Sequence, residues 1–401
     1  MARADLSAGV AKVDITNRDA GPVNDSLYAK ALVIGDGATR TAIVTVDAVA
    51  LGEIGYIGND FLPTVRAAIE KDVGIAPSNV LVNASHCHGV VCKDVAERTV
   101  QAVKEAAARM APVVVGVGSG NENRISENRR YLLKDGRQAD SRRAYPLPAD
   151  DAYAEVGPID PEIGVLRIDK KEGGTLAIVY NFAVHPIQGV PSGGNTADLV
   201  GFASKAIEEN LSDGTIALFL QGCAGDINPA KYKDVDHPHD AEPLGNLLGL
   251  STLRAVRSIA CKDDARLTVL NETIALPRAD SAERIAKLEA EQQRLLNSFK
   301  GTPINLKTFV PLVVKYSLSD EFPSFYGHRY MHEETMGLES LKKLDAENRA
   351  NIQSYIDNIH TMEELARLQE NIRLLHMHRE ANQAAGTPNV DVELLGVRIG
   401  D

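Results

Sequence analysis

Between Ala11 and Cys261 the sequence alternates short apolar segments with segments of helical periodicity. The apolar segments are rich in Val and Ile and several lack strict polar alternation, which is typical of strands covered on both faces. They lie at 41–49, 79–85, 112–120, 163–169, 175–184 and 215–222, and the helix candidates at 61–71, 94–110, 199–210 and 241–258. This order predicts an α/β fold with a mixed, substantially parallel sheet flanked by helices.

The pattern changes after Pro277. Residues 280–299 are strongly amphipathic, 300–325 contain proline and look irregular, and 336–382 predict two helices that break near 358–362. Residues 390–399 again predict a strand. We therefore expect an α/β core at 1–277, a helical insertion at 278–388 and a strand at 389–401 that returns to the core.

Composition narrows the classes of protein. With 401 residues, 44% apolar residues and a formal net charge of −12, the chain has the profile of a globular protein and not of a nucleic-acid binder. Its four cysteines form no CxxC pair, and no apolar stretch reaches the roughly 20 residues of a membrane span or resembles a signal peptide. We expect a cytoplasmic protein with no integral membrane segment.

Histidines follow two of the apolar segments. His86 and His88 come after 79–85, and His185 comes after 175–184. If the first strand continues, alternation points both of its histidines to one face, with Cα atoms about 6.5–7 Å apart. Imidazole is a preferred zinc ligand, so the pattern predicts a catalytic Zn²⁺ site on His86 and His185, with His88 as a further ligand or hydrogen-bond donor. A structural role for each histidine is the alternative.

Two further segments carry candidate chemistry. Arg129 follows the 112–120 strand and is suited to stabilising a developing negative charge, although a surface arginine cluster explains it as well. The segment QGCAGDINPAKY at 221–232 allows close approach of the backbone to a ligand, and its Asp226 could orient a histidine. A plain tight turn is the competing interpretation.

At these residues the sequence resembles the neutral/alkaline, non-lysosomal ceramidase family. Its paired-histidine motif is similar to 85–89 (SHCHG), its AVH segment to 181–185 (NFAVH), its Asp-x-x-Gly motif to 198–201 (DLVG), its Asn-Arg pair to 128–129 and its GDVSPN motif to 225–229 (GDINP). The resemblance extends over about 8–260 and again over 390–401, but does not include 278–385.

This resemblance implies a zinc-dependent amidase. His86 and His185 would bind the metal, and His88 and Arg129 would contact the scissile amide or nearby hydroxyls. Apart from the resemblance, Asp198 is a candidate for a third ligand or a supporting residue. The serine proposed as a nucleophile in the family is replaced by Asn228, so zinc-bound water would attack directly. The family's other zinc ligands, a Glu and a Tyr, would lie beyond Asp401.

Two hypotheses follow. The first is a metal-dependent amidohydrolase with His88, Arg129 and Asp226 as catalytic residues and a small N-acyl compound as substrate. The second is a non-catalytic or small-molecule-binding protein on the same fold, because two ligands of the family's zinc site are missing. The helices after Pro277 could form a lid or a dimer interface, which leaves a homo-oligomer open.

Overall fold

The computed structural model describes residues 5–142, 145–211, 213–236, 238–263, 266–323 and 326–400. Asp401, the last residue of the strand segment predicted at 389–401, lies outside them. The chain forms two compact units. The first contains residues 1–130, 156–276 and 391–401, and the second contains 131–155 and 277–390.

The strands are β1 (Ser7–Asp14), β2 (Tyr28–Gly35), β3 (Arg40–Val46), β4 (Val80–Ala84), β5 (Ala111–Asn121), β6 (Ser126–Asn128), β7 (Arg130–Leu133), β8 (Gln138–Asp140), β9 (Tyr153–Val156), β10 (Glu162–Lys170), β11 (Thr175–Phe182), β12 (Ile216–Gln221), β13 (Ile227–Pro229), β14 (Leu267–Pro277) and β15 (Asn389–Ile399). The helices are α1 (Phe61–Val73), α2 (Val95–Ala108), α3 (Asp198–Glu209), α4 (Glu242–Ser258), α5 (Ala282–Leu296), α6 (Leu306–Leu318), α7 (His328–Thr335) and α8 (Ser340–Ala384). Among the described residues, no helix is both long and apolar enough to cross a bilayer.

The first unit is built on an eight-stranded mixed sheet in the order β12-β11-β10-β5-β1-β2-β3-β4. The mixed α/β fold predicted from the sequence is thereby confirmed. Parallel pairing within the described part of the sheet is limited to β3 with β4 and β11 with β12. Both pairs end in the segments that carry the candidate histidines. A separate two-stranded ribbon pairs β6 with β13.

The two halves of the sheet fold over each other. One apolar cluster joins the first half to α1 and α2, and a second joins the other half to α3 and α4. A third contains side chains from both halves, including Leu32, Ile43, Val179 and Leu218, and therefore fills the space between them. The layers run helix, sheet, sheet, helix, so each half is buried on both faces, as the apolar strand segments indicated.

Side chains from the first half seal the free edge of β12. Lys30 donates from Nζ to the carbonyl of Ala217 at 3.0 Å, and the Thr45 hydroxyl and the Asn83 amide donate to the carbonyl of Phe219 at 2.8 and 3.0 Å. The Asn83 side chain also accepts from the backbone N–H of Gln221 at 3.1 Å. An edge strand normally leaves such groups unpaired, and here buried side chains satisfy them.

The second unit contains a three-stranded sheet, β8-β7-β9, and helices α5 to α8. The predicted break near 358–362 is wrong, because α8 is continuous from Ser340 to Ala384 and contains neither Pro nor Gly. Within the segment expected to be irregular, α6 forms despite Pro311. Its N-cap Asn305 accepts hydrogen bonds from the backbone of Lys307 and Thr308, and Pro311 lies on the exposed side, where water can hydrogen-bond to the backbone.

We expect Lys30→Met to lower the free energy of unfolding by about 2–4 kcal/mol in urea denaturation. The substitution leaves the carbonyl of Ala217 unpaired and removes the cation 3.6 Å from the partly buried Glu208 carboxylate. Lys12→Met is the matched control, because Lys12 also pairs with Glu208 but is far more exposed. It should cost about 0–1 kcal/mol, and equal losses for both variants would contradict the sealing role of Lys30.

Candidate metal centre

The paired histidines lie beyond β4, in a turn. The strand ends at Ala84, and His86 has a left-handed backbone conformation with φ of 64°. The alternation argument is therefore corrected: a positive φ, and not a continued strand, directs these side chains. The N–H of His86 donates to the carbonyl of Ala48 at 3.0 Å, which ties the turn to the residues that follow β3.

Asn195 holds the next part of this turn. Its side chain accepts from the N–H of Val90 at 2.8 Å and donates to the carbonyl of the same residue at 2.9 Å. Gly89 fits because a Cβ there would lie 2.3 Å from the side chain of Leu27 and 2.8 Å from a backbone oxygen. No sequence pattern indicated Asn195, since its role depends on a contact between residues 105 positions apart.

His185 reaches the same place from the other half of the sheet. Its backbone N–H donates to the carbonyl of Ile227 at 2.9 Å, which joins the segment after β11 to β13. Gln221, at the end of β12, donates from its side chain to the carbonyl of Val184 at 2.9 Å. The segment carrying His185 is thus fixed next to the sealed edge of β12.

The rings of His86 and His185 face each other. Their Nε2 atoms are 2.9 Å apart, while Nδ1 of His86 lies 2.7 Å from the carbonyl of Val49 and Nδ1 of His185 lies 2.8 Å from the carbonyl of Ala224. A carbonyl oxygen only accepts, so both Nδ1 atoms must carry the proton. In the neutral rings both Nε2 atoms then present lone pairs to each other, an arrangement that calls for a cation or an extra proton between them.

The electrostatics favour a cation other than a proton. Burial lowers the pKa of His185 to about 4, against the raising effect of its bond to Ala224, and the nearby His86, Arg129 and His88 lower it further. Burial and His86 also lower the pKa of His88. Two of the rings are therefore neutral near pH 7 and keep lone pairs available.

His88 completes a group that could hold a metal ion. Its ring centroid lies 5.7 Å from that of His86 and 6.3 Å from that of His185, and one nitrogen from each ring falls within 4.8 Å of the others. His88 is exposed, whereas the other two rings are partly buried. Three imidazoles, two of them with the far nitrogen anchored to a carbonyl, form a donor set that fits Zn²⁺.

The carboxylates named in the sequence analysis lie elsewhere. Asp198 is fully buried and accepts from the backbone N–H groups of Gln188, Gly189 and Leu199 at 3.1, 2.7 and 2.7 Å. Burial raises its pKa to about 6 despite these three bonds. It is not in the three-histidine group found among the described residues. Its contacts show that it holds the loop that follows His185.

Asp226 and Arg129 occupy the neighbouring loop. The Asp226 carboxylate lies 3.6 Å from Nε of Arg130, and its carbonyl accepts from the N–H of Arg129 at 2.8 Å. The orientation of His86 and His185 comes from backbone carbonyls instead of this carboxylate. Arg129 is buried and donates from its guanidinium to the carbonyl of Gly225 at 2.6 Å, and its charge acts on His185.

No protein-family model and no curated protein matches the sequence. The solved structures that match the fold include two ceramidases. A ceramidase complexed with C2 superposes with a TM-score of 0.54 at 18% identity, covering 69% of this chain and 47% of that one. A neutral ceramidase from Pseudomonas aeruginosa superposes with a TM-score of 0.53 at 20% identity, covering 69% and 48%.

The chain has the fold of the neutral ceramidases. The resemblance stated from the sequence motifs is confirmed at this level. The chain spans about half the length of each of these two structures.

The sequence resemblance aligns Asn228 with the serine of the family's GDVSPN motif. It lies on β13 opposite Glu127 of β6, is 1% exposed, and neither its Nδ2 nor its Oδ1 has a hydrogen-bond partner within the described residues. An unsatisfied buried polar atom costs about 1–3 kcal/mol. Groups left in this state are available to a water molecule or a ligand.

A cleft of about 190 Å³ adjoins His88. Its lining is mainly apolar and includes Val49, Ile57 and Val91, with the partly exposed ring of Tyr56 at one side. An apolar cleft beside a polar cluster can bind the apolar part of a small molecule and present a polar bond to the cluster.

We expect Asn228→Leu to leave the free energy of unfolding unchanged or to raise it by about 1 kcal/mol, because it removes two unpaired buried atoms. The matched control is Asn128→Leu. Asn128 is also buried, but its amide donates to the carbonyl of Pro158 and accepts from the N–H of Arg130, each at 2.8 Å. That variant should lose about 1–3 kcal/mol, and equal losses in urea unfolding would show that Asn228 has partners after all.

Proposed function

We propose that this chain is a zinc-dependent hydrolase of an amide bond, ceramidase-like in its chemistry, that acts on a small N-acyl substrate. The observation that carries the proposal is the pair of Nε2 atoms 2.9 Å apart, which both present lone pairs in the neutral rings because each Nδ1 donates to a carbonyl. The fold shared with two ceramidases supports an amide as the bond that is cleaved.

In this proposal His86 and His185 hold the metal. Zinc bound there would polarise a carbonyl and bring the pKa of water close to neutrality. The anchoring carbonyls of Val49 and Ala224 keep both rings in the tautomer that offers Nε2. Both rings therefore already present the nitrogen that would bind the metal.

His88 and Arg129 would act on the substrate. The neutral ring of His88, at the open side of the group, can donate a hydrogen bond to the carbonyl oxygen of the amide. The guanidinium of Arg129 is held in place by Gly225, and its positive charge stabilises the negative charge that develops on this oxygen. Asp226, which was named as catalytic from the sequence, would position the loop through its carbonyl.

The apolar cleft beside His88 would take the acyl part. Its volume of about 190 Å³ suits a short acyl group better than a long lipid chain.

Metal content is the first test. After loading with Zn²⁺ and desalting, elemental analysis should find about one zinc per chain, and zinc should raise the melting temperature. The double variant His86→Ala/His185→Ala should lose both effects, whereas His328→Ala, a substitution of an exposed histidine in the second unit, should keep them. Equal zinc in the double variant would place the metal elsewhere and reject the proposal.

The same measurement on His88→Ala separates two roles for this ring. Zinc retained at about one per chain with reduced activity supports hydrogen-bond donation to the substrate. A loss of zinc would make His88 a ligand, which also fits the three-nitrogen group.

Arg129→Lys should lower kcat for a cleaved N-acyl substrate by about 100-fold, with zinc content unchanged, because lysine keeps the charge but loses the planar fork. A panel of short-chain N-acyl amides with release of the free amine as the readout would measure this. Arg124→Lys is the control, since Arg124 is half exposed and its guanidinium already pairs with the carboxylate of the buried Glu122. Bound zinc without cleavage of any amide would favour the alternative, a non-catalytic binding protein on the same fold.

A further inference from the structure

Helix α6 of the second unit presents an apolar ridge to solvent. Leu306, Val310, Val314 and Leu318 are 63%, 50%, 51% and 81% exposed. Residues four apart lie in one row on a helix surface, so these four side chains form a continuous ridge about 18 Å long. We call them the α6 ridge.

The opposite face of α6 is firmly packed. The Phe309 ring stacks on Tyr355 of α8 at 4.5 Å, and the buried Tyr316 donates from its hydroxyl to Asp345 of α8 at 2.8 Å. The Tyr330 hydroxyl donates to the other oxygen of Asp345 at 2.6 Å. The ridge is therefore displayed on a fixed platform, and isolated exposed apolar residues would not be arranged in such a row.

The α6 ridge has the same order of residues from either end: Leu, Val, Val, Leu, at equal spacing. A second copy placed antiparallel about the midpoint would align Leu306 with the Leu318 position and Val310 with the Val314 position of the other copy. This is the self-complementarity that a two-fold interface requires. Rows of i+4 residues also interdigitate in the commonest class of helix packing.

The charges at the two ends of α6 are complementary. Lys307 at the start of the helix and Glu321 just after its end are exposed, and neither has an ion-pair partner within the described residues. In an antiparallel pair, Lys307 of each copy lies toward the helix end of the other copy, where Glu321 and the negative end of the helix dipole are found. A parallel pair would bring like charges together instead.

We propose that α6 is a self-association surface, through which two copies of this chain form an antiparallel, two-fold symmetric dimer. The interface of a single 13-residue helix lies at the small end of the range for specific dimers. The dimer is therefore concentration-dependent, and it populates fully only at high protein concentration.

Sedimentation velocity over a concentration series of the full chain tests the dimer. The wild type should shift from monomer to dimer, and Val310→Glu should raise the dissociation constant by about tenfold or more, because it buries a charge in the interface. Val235→Glu is the control, since Val235 is a 92% exposed valine in the first unit, and it should change nothing. A wild type that stays monomeric throughout, or a dimer that Val310→Glu leaves intact, would overturn the proposal.

A charge exchange tests the antiparallel arrangement. Lys307→Glu and Glu321→Lys should each weaken the dimer by about two- to fivefold, and the variant with both substitutions should recover the wild-type dissociation constant. Additive weakening in the double variant would rule out this geometry. Unchanged melting temperatures would show that the variants are folded.

The alternative to a dimer is that the α6 ridge binds a lipid surface. In flotation experiments with vesicles of phosphatidylcholine, alone or mixed with phosphatidylserine, the wild-type chain should stay at the bottom of the gradient and not float with the vesicles. A monomeric chain that floats with either type of vesicle, and loses this property in Val310→Glu, would replace the dimer by a membrane contact.

Discussion

The side chains that seal the edge of β12 determine where the functional residues lie. Asn83 binds the backbone of both Phe219 and Gln221, and it stands only three residues before His86. Gln221 in turn binds the carbonyl of Val184, next to His185. A short path of hydrogen bonds thus connects the two histidines across the space between the half-sheets. These hydrogen bonds hold the ends of the two parallel strand pairs, β3–β4 and β11–β12, next to each other.

The metal-capable group depends on backbone atoms more than on charged residues. The carbonyls of Val49 and Ala224 fix the tautomers of the two facing histidines, and burial keeps His185 neutral. Asp198 supports the site indirectly. Its carboxylate accepts hydrogen bonds from three backbone N–H groups and so holds the loop that follows His185. A site made in this way is rigid, since each ring is held at one nitrogen and leaves the other free.

The sequence predicts some features of the fold and of the site, but not others. The apolar strands and their terminal histidines could be found, because periodicity and residue type carry that information. Strands β1 and β2 were not predicted, and the buried Lys30 that interrupts the apolar pattern of β2 is the residue that seals the edge of β12. The carbonyl partners and Asn195 act through contacts between distant segments, which no local pattern contains. Helix α6 was not predicted because it contains Pro311. It forms nonetheless, since a proline on the exposed side of a helix is tolerated.

The number of histidine ring nitrogens that can bind a metal ion determines whether the described residues could form a catalytic zinc site. The resemblance to the ceramidase family led us to expect further ligands beyond Asp401, yet three ring nitrogens already converge within 4.8 Å. Catalytic zinc sites commonly use three protein ligands and keep one position open. If His88 ligates, the donor set is complete and Arg129 alone faces the substrate oxygen. If His88 donates to the substrate, His86 and His185 would hold the metal. Its exposure, in contrast to the anchored rings of His86 and His185, leaves His88 the one member of the group free to serve either role.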